Sequence, residues 1–542
     1  MSFLHNIMTL TITLLLVIIA SALIALLVVE LRRVLMMLQQ NSYRADRYMK
    51  WLSASGDTTS SLHLFGLVAF FAPMVPFIPR VAAMALMAAF AATALTALLR
   101  RHYKKPLVMT PRATRIFVTA TVLAALVAGV TALLTLTTGL NGALYCTCVA
   151  LTGCFCISHY LIPAANFLLT PVEKSINRKY IGQARQILRS MPKLKIVGIT
   201  GSYGKTSTKH ILCRILSAKY ETLMTPGSFN TTLGVVRTVR EYLKPYHEVF
   251  IVEMGAKSPG DIREICDLVH PQCGIITAVG PQHLESFRTI DAVQATKFEL
   301  VDSLPSDGVA VVNNDFPKIA DRPVDNVRCL RYAVKNTDGA DYIATDIKYS
   351  STGSEFTVLT VADGTALRLR TPLVGECNIS NILGAVVMAR ALGVDDNAIA
   401  YAVENLEQIE HRLSIRRIPG GLTIIDDAFN SNPVGSAMAL DVLAAMGPGK
   451  RILITPGMIE LGDRQYDLNR EFGRRAATAA DVVIVVGQYN RHAIADGLAD
   501  GGAPDEKVLL ADSFAEAQRM LGGFAAPGDI VLYENDLPDT FK

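Results

Sequence analysis

Lys205 and Thr206 close the stretch Gly198-Ile-Thr-Gly-Ser-Tyr-Gly-Lys-Thr-Ser207, and residues of these types at this spacing suit a phosphate group. Gly201 and Gly204 free the backbone to curl so that the N–H groups around Ser202 and Ser207 point at phosphate oxygens. Lys205 then reaches the β- and γ-phosphates of a nucleotide, and the Thr206 hydroxyl can hold Mg²⁺ at the start of a helix. The spacing departs from the standard P-loop: Ile199 stands six places before Lys205, and the glycine lies one place further back, at Gly198. Three more residues could join this chemistry. Glu253 can carry a metal ion at the phosphates, and His283 and Lys297 complete the acid, histidine and lysine set that phosphoryl transfer uses. Taken singly, each also reads as a helix cap, a loop histidine or a solvated lysine.

The elements that must position these groups follow the pattern of an α/β protein. An apolar run over residues 194–199 predicts a buried strand before the loop, and the spacing from Ser207 onward predicts a helix after it. Strands are expected at 247–253, 273–279 and 308–313, with helices at 260–269 and 292–304 between them, giving a parallel sheet. Glu253 ends one strand and His283 follows another, where open α/β sheets bind ligands. Residues 341–373 alternate as an antiparallel ribbon, and 378–392 and 396–406 read as helices. A second, Rossmann-like α/β unit is expected from Arg412, with strands at 422–426, 451–456, 481–487, 507–510 and 529–533. A basic, polar helix over 171–191 connects these units to what precedes them.

The 542 residues are 51% apolar, and the excess sits in the first third. Uncharged or nearly uncharged runs at 8–29, 63–79, 81–99, 116–136 and 143–169 predict a region of about five transmembrane helices over 1–169. Basic residues crowd the first loop (Arg32, Arg33, Arg44, Arg47, Lys50) and the third (Arg100, Arg101, Lys104, Lys105, Arg112, Arg115). The positive-inside bias then delivers residue 170 onward to the cytoplasm, an expectation of a multi-pass cell-membrane protein touching membrane lipid. His159 is the one ionisable group expected deep in a run, and it is assigned no role. A net charge of +4 without a basic, aromatic-interleaved stripe argues against nucleic acid. The nine cysteines form no zinc-type pair and read as reduced thiols.

The loop with its extra residue resembles the ATP loop of the Mur ligases, and the resemblance continues in order along the chain. It takes in Ser228-Phe-Asn-Thr-Thr-Leu-Gly234, Glu253-Met-Gly-Ala256, Gly280-Pro-Gln-His-Leu-Glu-Ser286, Lys297-Phe-Glu299 and Asn313-Asn-Asp315. Asn378-Ile-Ser-Asn381, His411-Arg412, Asp426-Asp-Ala-Phe-Asn-Ser-Asn-Pro433 and Gly457-Met-Ile-Glu-Leu-Gly462 complete it. The resemblance implies a central ATP-binding domain over 192–411, preceded by a linker helix over 170–191, and a C-terminal domain over 412–542. It also implies an ATP-dependent carboxylate–amine ligase of cell-wall precursor synthesis. In such an enzyme a carboxylate becomes an acyl phosphate that an amine attacks, two Mg²⁺ assist, and the last two motifs favour D-alanyl-D-alanine and a muramyl tripeptide.

By the same resemblance, Lys205 and Thr206 serve the phosphates and the first Mg²⁺, Glu253 and His283 serve the metals, and Lys297 matches a lysine that is carbamylated. Asn313 and Asn381 match adenine-side positions, Arg412 and Asp427 close onto the nucleotide, and Asn230, Thr231, Asn430 and Asn432 face substrate. The chain also departs from the family. The soluble N-terminal domain that binds the UDP end of the precursor is absent, and the apolar third stands in its place. Cys377 and Asn469 stand where histidines are common, and Tyr533-Glu-Asn-Asp536 replaces a Lys-Gly-Ser stretch. A membrane-anchored ligase working on a lipid-linked or poly-γ-glutamate-type substrate is the alternative enzyme. A membrane scaffold or transporter switched by a nucleotide domain is the alternative of another class.

Overall fold

The computed structural model describes residues 2–103, 105–281, 284–350, 353–409, 412–428 and 431–537. The chain divides into two compact units, one ending at Ile176 and the other running Asn177–Leu537.

The first unit is helical, but its helices are not five clean spans. Among the described residues three helices are long and apolar enough to cross a membrane, or four if one bent pair is counted as a span. The run at 63–79 folds as Ser61–Phe71 followed by a short 3₁₀ turn, because Pro73, Pro76 and Pro79 remove the N–H groups a longer helix needs. Eleven residues rise about 17 Å, roughly half the apolar thickness of a bilayer. The run at 143–169 breaks into Leu140–Cys156 and Ser158–Leu168, bent by 77°. His159 has company that the runs conceal. Its Nε2 lies 2.9 Å from Asp57 Oδ2 and 3.1 Å from Arg33 Nη2, while Arg33 forks onto Glu30 at 2.6 and 2.8 Å. Glu30 and Arg33 are buried because each satisfies the other's charge, the condition for burying an ion at all.

The second unit holds two sheets. The nine strands of the larger are β1 (Lys195–Thr200), β2 (Thr222–Met224), β3 (Val249–Glu253), β4 (Cys273–Ile276), β5 (Val309–Asn313), β6 (Arg328–Ala333), β7 (Tyr342–Ser350), β8 (Gly353–Thr360) and β9 (Ala366–Thr371). Their order is β2-β3-β1-β4-β5-β6-β7-β8-β9, parallel as far as β7 and antiparallel through β8 and β9. From β1 the chain passes to one side for β2 and β3 and then to the other for β4 onward. The carboxyl ends of β1, β3, β4 and β5 therefore open side by side. β1 and β3 are buried along nearly their whole length, as a parallel strand covered on both faces must be.

The smaller sheet comprises β10 (Ser414–Arg417), β11 (Thr423–Asp427), β12 (Arg451–Thr455), β13 (Val482–Val486), β14 (Val508–Ala511) and β15 (Ile530–Glu534). It is ordered β10-β11-β15-β12-β13-β14, parallel except for β10. The two α/β layers and the ribbon match the sequence reading. β2, β6 and β10 were not expected from it.

Candidate active site

The loop after β1 leads into the helix Lys205–Leu216, whose N-cap is Gly204. Gly204 has φ +78°, and a Cβ there would lie 2.4 Å from Asn381 Oδ1. At Gly201 a Cβ would meet Thr277 Oγ1 at 2.1 Å, so both positions need glycine for space as well as for conformation. Gly198 is different in kind. It lies inside β1, and a Cβ there would fall 2.6 Å from Leu300 Cδ1. The extra residue in the loop spacing thus reflects packing behind the strand, not the phosphate cradle.

Lys205 folds back over the loop, donating to the carbonyls of Gly201 at 2.6 Å and Ser202 at 3.1 Å. Burial pushes its ammonium down to about 8, against the pull of the Glu253 carboxylate. Glu253, at the end of β3, is 1% exposed. Its Oε1 accepts from Thr206 Oγ1 at 3.2 Å and from Asn230 Nδ2 at 3.0 Å. Its Oε2 receives no hydrogen bond, although the Lys209 ammonium lies 3.1 Å away as an ion pair. Burial pushes the Glu253 carboxyl up, but Lys209 and Lys205 outweigh it and hold the group below its ordinary value. A buried, ionised carboxylate with one undonated oxygen beside a threonine hydroxyl suits Mg²⁺, which takes one or two carboxylates and completes its shell with phosphate oxygens and water.

Lys297 lies in the helix Ile290–Phe298 and is buried. Burial and the nearby Lys205 charge push it down to about 7. Of the expected adenine-side residues, Asn381 reaches the helix that follows the loop, and Asn313 bonds to Thr277 and Ser380. Asn381 Oδ1 accepts from Thr208 Oγ1 at 3.2 Å, and Asn313 Nδ2 donates to Thr277 O at 2.9 Å and Ser380 Oγ at 3.0 Å. Arg412 crosses from the smaller α/β layer, its Nη2 3.5 Å from Thr206 Oγ1. An open cleft is shared by Tyr203, Asn313, Phe316 and Asn381 on one side and Arg412 and Asp427 on the other.

Two expected substrate residues have structural duties. Thr231 caps Thr232–Glu241 by accepting from Gly234 N, and Asn432 caps Pro433–Ala445 by accepting from Gly435 N. His283 and Asn430, with His411 of the motifs, lie outside the described residues. The substituted positions are accounted for locally. Cys377 lines the cleft, its thiol pushed up to about 12 by burial and the Asp427 charge. Asn469 is fully buried, accepting from Met458 N at 2.8 Å and so holding the Gly457–Leu461 turn. Glu534 Oε1 accepts from Ser436 Oγ at 2.7 Å and Ser431 Oγ at 2.5 Å. Its Oε2 has no donor. Burial and Asp427 push Glu534 well above its ordinary value, so it carries a proton that can be donated to the Asp427 carboxylate.

Sequence reasoning missed Lys209, Ser380 and the pairing of Glu534 with Asp427. Lys209 carried a usable signal, since it lies four residues beyond Lys205 on the same helix face.

A P-loop on a parallel sheet, a carboxylate beside its threonine, and a second α/β layer reaching over the same cleft define a two-layer nucleotide-using enzyme. The comparisons specify which one. Residues 199–389 match the model of the Mur ligase middle domain, and 411–533 that of the Mur ligase glutamate ligase domain. The UDP-N-acetylmuramoyl-tripeptide–D-alanyl-D-alanine ligase of Escherichia coli is 32% identical over 335 residues, 61% of this chain and 73% of that enzyme. MurF from Acinetobacter baumannii superposes with a TM-score of 0.59 at 28% identity, covering 66% of this chain and 76% of the other. MurF ligase from Thermotoga maritima, in complex with ADP, gives 0.59 at 26% identity, covering 66% and 80%. The chain belongs to the Mur ligase family and is an ATP-dependent ligase.

The localisation expected from the apolar third needs correction. The ligases matched are cytoplasmic soluble enzymes, and the helices before Ile176 meet the requirements of a span by length and composition alone. The reading of a multi-pass cell-membrane protein is therefore withdrawn.

Proposed function

We propose that the protein joins D-alanyl-D-alanine to a UDP-linked muramyl tripeptide at the expense of ATP. The names of its relatives give the substrates, and the convergence of Lys205, Thr206, Glu253 and Arg412 on one crevice carries the reading. A carboxylate oxygen of the tripeptide attacks the γ-phosphorus, and the bond to the ADP oxygen breaks. The amine nitrogen of the dipeptide then attacks the acyl carbon, the C–O bond to phosphate breaks, and the ammonium proton leaves to solvent. A carboxylate alone is a poor electrophile, so the phosphate supplies the leaving group.

In this reading the loop N–H groups and Lys205 gather the β- and γ-phosphates, while Asn313 and Asn381 border the adenine side. Arg412 and Asp427 close over the nucleotide from the C-terminal layer. Asn230 and Thr231, with Asn430 and Asn432, border the precursor and the amine. Glu253, Thr206 and His283 would hold Mg²⁺, which supplies charge neutralisation at the crowded phosphates. Lys297 is a buried amine with no carboxylate in ion-pair distance among the described residues. A carbamate there would convert a second buried cation into an anion facing the metals, and this is the state we assign to it.

The test is an assay of the full chain with ATP, D-alanyl-D-alanine and muramyl tripeptide in UDP-linked and lipid-linked forms. ADP and the amide product should form only when both substrates are present, and with the UDP-linked precursor. A preference for the lipid-linked arm would replace the donor in this reading, and substrate-independent ATP turnover would remove the ligase assignment altogether.

A further inference from the structure

Among the described residues, Lys209 is a buried charged group beside the crevice to which no role has yet been given. It is fully buried, one helical turn beyond Lys205. Its ammonium makes two contacts, 3.1 Å to Glu253 Oε2 and 2.5 Å to the carbonyl of Gly227. Gly227 opens the loop that carries Asn230 and Thr231, and this loop is tied to the same carboxylate a second time through Asn230 Nδ2. The loop's far end is pinned as well, by Gly255 N donating to Asn230 O at 2.7 Å, directly after β3. Thr225, just before the loop, accepts from Glu253 N at 3.1 Å. The side chain of Glu253 is thus a shared post: Thr206 and Asn230 both donate to its Oε1, and Lys209 pairs with its Oε2.

We propose that Lys209 is a positioning residue that couples the precursor-bearing loop at 226–231 to the metal–nucleotide site, so that each binds more tightly when the other is occupied. Charge couples the two. Lys209 divides its ammonium between a carboxylate and a carbonyl, and a buried cation must keep a strong acceptor. A divalent cation taking up the Glu253 charge weakens one of the two attachments. The Gly227 carbonyl then becomes the ammonium's principal acceptor, and the loop is drawn down and fixed. By linkage, a precursor that fixes the loop favours the metal–nucleotide by the same factor. The groups facing Lys209 leave it no substitute: Glu253 is the only carboxylate within ion-pair distance among the described residues, and Lys205 and Arg412 are cations.

The inference rests on the ligase reading for the identity of the precursor, but its first test does not. Hydrogen exchange at the amides of 227–231 is followed in the full chain with Mg²⁺ alone, with a non-hydrolysable ATP analogue alone, and with both. Protection should rise with the two together, and Lys209→Met should lose that rise while still binding the nucleotide. Exchange at 227–231 that ignores Mg·nucleotide in the natural protein overturns the proposal, whatever the variant does. The second test measures precursor affinity with and without Mg·nucleotide. A coupling of about 5-fold or more is expected in the natural protein. It should fall to about 1 in Lys209→Met and recover in part in Lys209→Arg, which can still span both acceptors. An undiminished coupling factor in a folded Lys209→Met would also overturn the proposal. Failure of the natural protein to bind the UDP-linked precursor at all would count against the ligase reading instead, leaving the exchange experiment to decide the coupling.

Discussion

Glu534→Gln should flatten the dependence of stability on pH. Glu534 is 1% exposed, both serine hydroxyls reach the same oxygen, and the other oxygen faces the Asp427 carboxyl without a donor. Both acids are held above their ordinary values, burial being the first cause in each. For a carboxyl raised on folding, the folded state binds the extra proton. Its stabilisation is therefore complete below the unfolded value and is lost as pH rises through the folded one. For Asp427 that window runs from 3.8 to about 6, and Glu534 extends it upward. A glutamine keeps the shape, donates Nε–H to Asp427 and accepts from the serines without a proton to lose. Burial of Asp427 remains, so the gain at pH 8 should be about 1–2 kcal/mol, with little change at pH 4–5. Calorimetric melting of the full chain at pH 5 and pH 8 reads this as a rise of about 1–3 °C at the higher pH alone. Equal rises at both values, or a loss at pH 8, would refute the shared proton.

Other substitutions probe the crevice itself. Lys205→Met removes the cation we assign to the β- and γ-phosphates and should lower ADP formation by about 10²–10³-fold, with the fold retained by circular dichroism. Lys297→Ala should abolish turnover, with no rescue by excess bicarbonate, whereas wild-type rates in this variant would eliminate the carbamate. Gly204→Ala places a Cβ 2.4 Å from Asn381 Oδ1 at φ +78°, at a cost of about 1–3 kcal/mol. Calorimetric binding of ADP should weaken by at least tenfold in that variant.

Much of the catalytic unit was legible because its physics is local. Buried parallel strands are unbroken apolar runs, and the loop after β1 combines glycines at forced turns with a lysine and threonine at a helix start. β2 and β6 were missed for different reasons. β2 has three half-buried residues, too few for a pattern, and in β6 Arg328 and Arg331 interrupt the apolar residues at a spacing of three, which breaks strand alternation. Lys209 could be placed by its spacing from Lys205 but not by its burial, and Glu534 by neither. One reads as a solvated helix lysine and the other as a strand-end acid until the fold encloses them. The apolar third misled by run length. Proline and a 77° bend divide what hydropathy joined, and Arg33 and Asp57 come from separate stretches to meet His159.

The account stands on the two-substrate dependence of ATP use. With purified full chain, Mg·ATP, UDP-linked muramyl tripeptide and D-alanyl-D-alanine, mass spectrometry should find one amide product for each ADP released. Omitting either partner should stop amide formation. ADP release that continues without the tripeptide, or that yields no amide when both partners are present, would contradict it.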